Sequence, residues 1–118
     1  MKEFDEKKNS KNIEKKLQSN LSKYEIIRKA FQYHSQGNIA EASKYYQFFI
    51  NQGFKDHRVF SNYGMILLNL GELKKAEIFT RKGIKLNPNY AMAYSNLGGI
   101  LKDLGKLQEA ELSTRKAI

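Results

Sequence analysis

The sequence predicts an all-α fold, an α-solenoid built from antiparallel helix pairs, on three observations. First, residues 57–90, HRVFSNYGMILLNLGELKKAEIFTRKGIKLNPNY, return at a shift of 34 on residues 91–118, sharing S-N-x-G, L-G-x-L-x-x-A-E and T-R-K. A shift the other way aligns 23–56 more loosely, through Gly37, Ala42 and Ile50. Second, apolar residues inside each period recur three and four apart, the spacing of one helix face. Third, no segment shows the alternating Val/Ile/Thr pattern of a strand. A fixed period of this length means stacked units that each bury their apolar face against a neighbour.

The 118 residues suffice for one such domain. Two full periods and one short one stand near the minimum of about three units for a stable array. With no cysteine, the chain has neither a disulfide framework nor thiolate chemistry. The start, MKEFDEKKNSKNIEKK, lacks the apolar core of a secretory signal, and no apolar run is long enough to span a bilayer. The cytosol is the expected compartment. A net charge of +9 and a pI near 9.7 admit acidic partners. A lysine-rich solvated face is the better-supported reading of that charge.

Residues 1–22 hold six lysines and four acids, and the first ten are expected to be mobile. Ile13, Leu17 and Leu21 then form a helical stripe, so a helix is expected from about Asn12, as a cap or as a run into the first repeat. In the middle period Phe60, Tyr63, Gly64 and Leu67 share one helix face, and Gly71 ends that helix at a position suited to positive φ. A second helix starts near Glu72 with Leu73, Ala76, Ile84 and Leu86 inward, and Asn87-Pro88 stops it. The third period repeats this order with Tyr94, Leu97, Gly98 and Leu101, then Leu107, Ala110 and Ala117.

These residues resemble the tetratricopeptide repeat, a helix–turn–helix with the pattern W-x2-L-G-x2-Y, A-x3-F and P. The matching positions are Tyr94, Leu97-Gly98, Leu101 and Ala110 in the third repeat, and Phe60, Tyr63-Gly64, Leu67, Ala76 and Pro88 in the second. The first is degenerate, with Ile26, Lys29-Ala30, Tyr33, Ala42 and Tyr46. Thr80 and Thr114 replace the second-helix aromatic, Gly83 and Phe49 replace a late alanine, and Phe54 replaces the proline. The resemblance covers 23–118, as repeats 23–56, 57–90 and an incomplete 91–118.

The resemblance implies a concave groove lined by the first helix of each repeat. Its expected wall is Tyr24, Ile27 and Phe31, then Arg58, Asn62, Met65 and Leu68, then Met92, Asn96 and Lys102. Each apolar member also fits a core role. Asn62 and Asn96 stand one repeat apart, and an amide that donates and accepts at once suits an extended peptide backbone. The S-N-x-G text is similar to the asparagine-bearing repeats of the O-linked N-acetylglucosamine transferase; the competing role is to satisfy backbone between helices. Co-chaperones of the family clamp a C-terminal carboxylate with two lysines, an arginine and two asparagines. The corresponding residues here are Ile27, Phe31, Asn62, Met92 and Asn96, which do not reproduce that clamp.

Nothing in the sequence assembles a catalytic, metal or cofactor site. His34 and His57 lie in different repeats at non-equivalent positions, with no carboxylate at ligand spacing. Lys74, Lys75, Arg81, Lys82, Lys85, Arg115 and Lys116 fall on second helices, away from the aromatics that a nucleic-acid platform would need beside them. Leu107, Ala110, Thr114 and Ala117 leave an uncovered edge, so the expectation is either a fragment of a longer array or an edge that self-associates or is covered by the Ile13, Leu17, Leu21 stripe. The expected function is therefore a non-catalytic module binding a protein or peptide in the groove. The alternatives are an adaptor segment of a larger, glycosyltransferase-like enzyme and a basic nucleic-acid-binding module.

Overall fold

The computed structural model describes residues 21–118, and the helix expected from about Asn12 lies outside them, apart from Leu21. Among the described residues there are six helices and no strand: α1 (Lys23–Ser35), α2 (Ile39–Asn51), α3 (His57–Asn69), α4 (Leu73–Leu86), α5 (Ala91–Asp103) and α6 (Leu107–Ala117). They pair as α1 with α2, α3 with α4 and α5 with α6. Contacts divide the chain into two compact units, one ending at Phe54 and the other spanning Lys55–Ile118.

The turn inside each pair is dictated locally. Gly37, Gly71 and Gly105 have φ of 77°, 80° and 81°, a region where a side chain is strained. Each glycine N–H donates to a carbonyl three residues back, at His34, Leu68 or Lys102, at 3.0 Å. The following N–H donates five residues back, to Tyr33, Leu67 or Leu101, at 2.8–2.9 Å. This is the Schellman pattern, written three times one period apart.

Other ends use side chains. Ser22 accepts from the Glu25 N–H, Asn38 from Glu41 and Asp56 from Arg58, capping α1, α2 and α3. Helix α4 stops at Leu86, where Asn87 turns extended ahead of Pro88. Helix α2 has no such proline. It ends instead through Gly53 at φ 83°, followed by Phe54, whose ring packs on Phe49 at 5.4 Å.

The N-terminal unit has an aromatic core. Tyr46 and Phe49 are fully buried, with Phe31 tilted against Tyr46 and Tyr33 stacked on Tyr45 at 5.5 Å. The C-terminal unit instead brings backbones close. A Cβ on Gly64 would run into the Thr80 hydroxyl, and one on Gly98 into that of Thr114. Phe79 fills the space between Phe60 and Tyr63, and Ile84 packs on Leu97, Leu101 and Ala110. Two expected core positions differ. Leu86 and Leu107 are exposed, the first in the last turn of α4 and the second in the first turn of α6.

Candidate functional site

Within the C-terminal unit, α3 and α5 are both first helices, and they touch each other. Gly99 lies beside Leu68, where an added Cβ would stand 3.6 Å from Leu68 Cδ2, an ordinary contact. Asn96 Nδ2 donates to the Ser61 carbonyl at 3.2 Å, joining α5 to α3. This amide is 5% exposed. Asn96 thus takes the interhelical role at the position expected to face a ligand. Asn62, at the equivalent place on α3, is only partly buried.

Around Asn62 the α3 and α5 surface carries half-buried Met65 and Leu68, exposed Met92 and exposed Lys102. Arg58 is exposed but held: its Nε and Nη2 donate to Asp56 Oδ1 and Oδ2 at 3.1 and 2.8 Å. Burial pushes the Asp56 carboxyl up, but hydrogen bonds from the Arg58 side chain and backbone, with the charges of Arg58 and His57, hold it below its ordinary value. The same hydrogen bond to Asp56, opposed by burial, raises Arg58. Next to this pair, the His57 ring meets Tyr90 edge-on at 4.6 Å, and Asn87 Nδ2 lies 3.3 Å from His57 Nε2. Tyr90, the last residue of its period, carries no signal in the repeat pattern that would mark it for this place.

The three remaining expected residues are on α1, in the N-terminal unit. Tyr24 is 78% exposed, Phe31 is half-buried against Tyr46, and Ile27 is buried. Ile27 therefore serves packing. In the same unit Tyr46 Oη lies 2.7 Å from His34 Nδ1, and burial lowers the His34 pKa.

The seven basic residues on α4 and α6 are all exposed, and two are seated on rings: Lys82 over Phe79 at 5.1 Å and Lys116 over Tyr94 at 5.7 Å. Such contacts anchor lysine stems on the helix-pair surface. Among the described residues no three His, Asp or Glu side chains gather to hold a metal ion. No described helix is long and apolar enough to cross a membrane.

Two tetratricopeptide-repeat family models match, one on residues 57–90 and one on residues 79–111. Residues 57–111 thus carry the tetratricopeptide-repeat signature. The first match has the bounds of the middle period, and the second joins α4 to α5 across the proline turn. Among solved structures, the chain is similar to the second TPR of Spaghetti (RPAP3) bound to the HSP90 peptide SRMEEVD. That likeness has a TM-score of 0.74 at 20% identity, over 99% of this chain and 96% of that one. It shows the fold, the all-α solenoid of helix pairs that the tetratricopeptide period predicts. Comparison with curated protein sequences finds no significant match.

Proposed function

We infer that the chain is a non-catalytic protein-interaction module whose tetratricopeptide repeats bind a peptide segment on their first helices. The observation that carries this reading is that the first helices α3 and α5, which touch, leave Asn62, Met65 and Leu68 partly exposed and Met92 exposed. Methionine adapts to varied partners, and an amide beside apolar side chains can hold a backbone while neighbours take side chains. The fold's likeness to a repeat domain bound to a peptide supports the reading. Arg58, fixed by Asp56, and Lys102 supply cations for acidic residues of the ligand. Tyr24 and Phe31 are further candidates on α1; Ile27 and Asn96 act through packing.

The test is a random-peptide display on the 118-residue chain, followed by NMR mapping of the selected sequences. Shifts should cluster on Asn62, Met65, Leu68 and Met92. Asn62→Ala with Met65→Ala should weaken binding about tenfold, roughly 1.4 kcal/mol. Binding confined to the basic faces of α4 and α6, falling steeply with salt, would instead favour a polyanion ligand and end the peptide reading.

A further inference from the structure

The far side of the α5–α6 pair carries an open recess of about 440 Å³, lined by Gly98, Gly99 and Lys102 of α5 and by Leu107, Ala110, Glu111, Thr114 and Arg115 of α6. One period earlier the equivalent face of α3 and α4 includes Met65, Leu68, Ala76, Glu77 and Thr80. There a helix covers it. Leu68 meets Gly99, Asn96 reaches the Ser61 carbonyl, and Glu77 accepts an ion pair from Lys106 at 3.8 Å. The recess is thus a surface of the kind on which this fold seats a helix.

The side chains on α6 say which helix fits. Leu107, Glu111, Thr114 and Arg115 of α6, with Ile118 just past its end, follow each other at four-, three-, one- and three-residue steps along one edge. Leu107 is 66% exposed, and the Glu111 and Arg115 side chains are largely exposed. Read backwards, the stripe runs apolar, cation, polar, anion, apolar, which complements the forward order. In an antiparallel pair with a two-fold axis between Leu112 and Ser113, Leu107 faces Ile118 of the other copy. In that register Glu111 falls within about one residue rise, roughly 1.5 Å along the axis, of the other copy's Arg115.

We propose that this face binds a second copy of the chain, α6 against α6, in a two-fold dimer with two reciprocal Glu111–Arg115 contacts and Leu107 at each end. Within one copy these charges already pair at 2.7 Å, so in the dimer each becomes part of a four-charge network. Such networks set partner choice more than raw affinity.

The experiment is sedimentation of the 118-residue chain from micromolar to near-millimolar concentration, with E111R and R115E made separately. Both sites are exposed, and helical content by circular dichroism confirms folding. The native chain should dimerise, and each variant alone should dimerise about tenfold more weakly, because like charges then oppose across the axis. An equal mixture of the two variants should recover association, since every contact again pairs opposite charges. Leu107→Glu should weaken association in any mixture. A native chain that stays monomeric throughout overturns the proposal. So does association that ignores both charge reversals, which would place the contact on another surface.

Discussion

The two units solve one packing problem in opposite ways. At the second-helix position where the repeat pattern has an aromatic, the N-terminal unit holds Tyr46 and the C-terminal unit holds Thr80 and Thr114. At the first-helix position that the pattern gives to glycine, the same units hold Ala30, and Gly64 and Gly98. Further along the second helix, Phe49 contrasts with Gly83 and Ala117. Where side chains are large, rings fill the space between helices, and Tyr46 and Phe49 are fully buried. Where they are small, the helices close up until Gly64 touches Thr80 and Gly83 sits by Ser61. The close approach has a cost: among the described residues the buried hydroxyls of Ser61 and Thr80 find no hydrogen-bond partner. What the pairs share is close contact, reached by filling the gap in one unit and by narrowing it in the other.

If that comparison is right, the largest single effect lies in the aromatic unit. Tyr46→Ala should cost about 3–5 kcal/mol by urea unfolding, through the cavity it leaves. Thr80→Ala, at the equivalent position, should cost under about 1 kcal/mol, because it also removes an unpartnered hydroxyl. Equal losses would break the comparison.

The next effect sharpens it. Gly64→Ala gains about 1 kcal/mol of helix propensity yet should destabilise by about 1–3 kcal/mol, since its new methyl overlaps Thr80. Adding Thr80→Ala should restore most of the loss, a coupling that a double-mutant cycle reads directly. At the chain's third cap, Asp56→Ala should cost about 1 kcal/mol in thermal unfolding.

The smallest effect is in pH dependence. Burial holds His34 below the ordinary histidine value of about 6.5, so folding favours its neutral form. The contribution is complete above that ordinary value and is lost as pH falls through the lowered one. Urea midpoints should therefore decline on acidification in this window, and His34→Gln should flatten the slope. Asp56, also lowered, loses its contribution further down, below the usual carboxylate range.

Much of this architecture was legible in the residues. The helix-pair turns followed from Gly37, Gly71 and Gly105, and the stop of α4 from Asn87-Pro88. The turn after α2 was harder to read, because Gly53 does there what proline does a period later. Of the expected groove, the α3 residues are at least partly accessible, while Ile27 and Asn96 are buried. Period-based reasoning assigns them one face and cannot tell how deep a neighbour sits on it. Leu86 and Leu107 show the converse, apolar residues on a helix face that no described neighbour buries.

By itself the sequence determined the elements: where each helix starts, where it stops and with which neighbour it pairs. Those outcomes rest on φ preferences, proline geometry and apolar period, all local to the chain. Only tertiary structure decided the fate of equivalent residues. Asn62 and Asn96 share a repeat position and a local text, S-N-x-G. Asn62 is partly exposed, whereas Asn96 is buried and its Nδ2 donates to the Ser61 carbonyl. The reason is physical: an amide donor is satisfied by whichever acceptor the packing of the next helix brings within reach, and that distance is written nowhere in its own repeat.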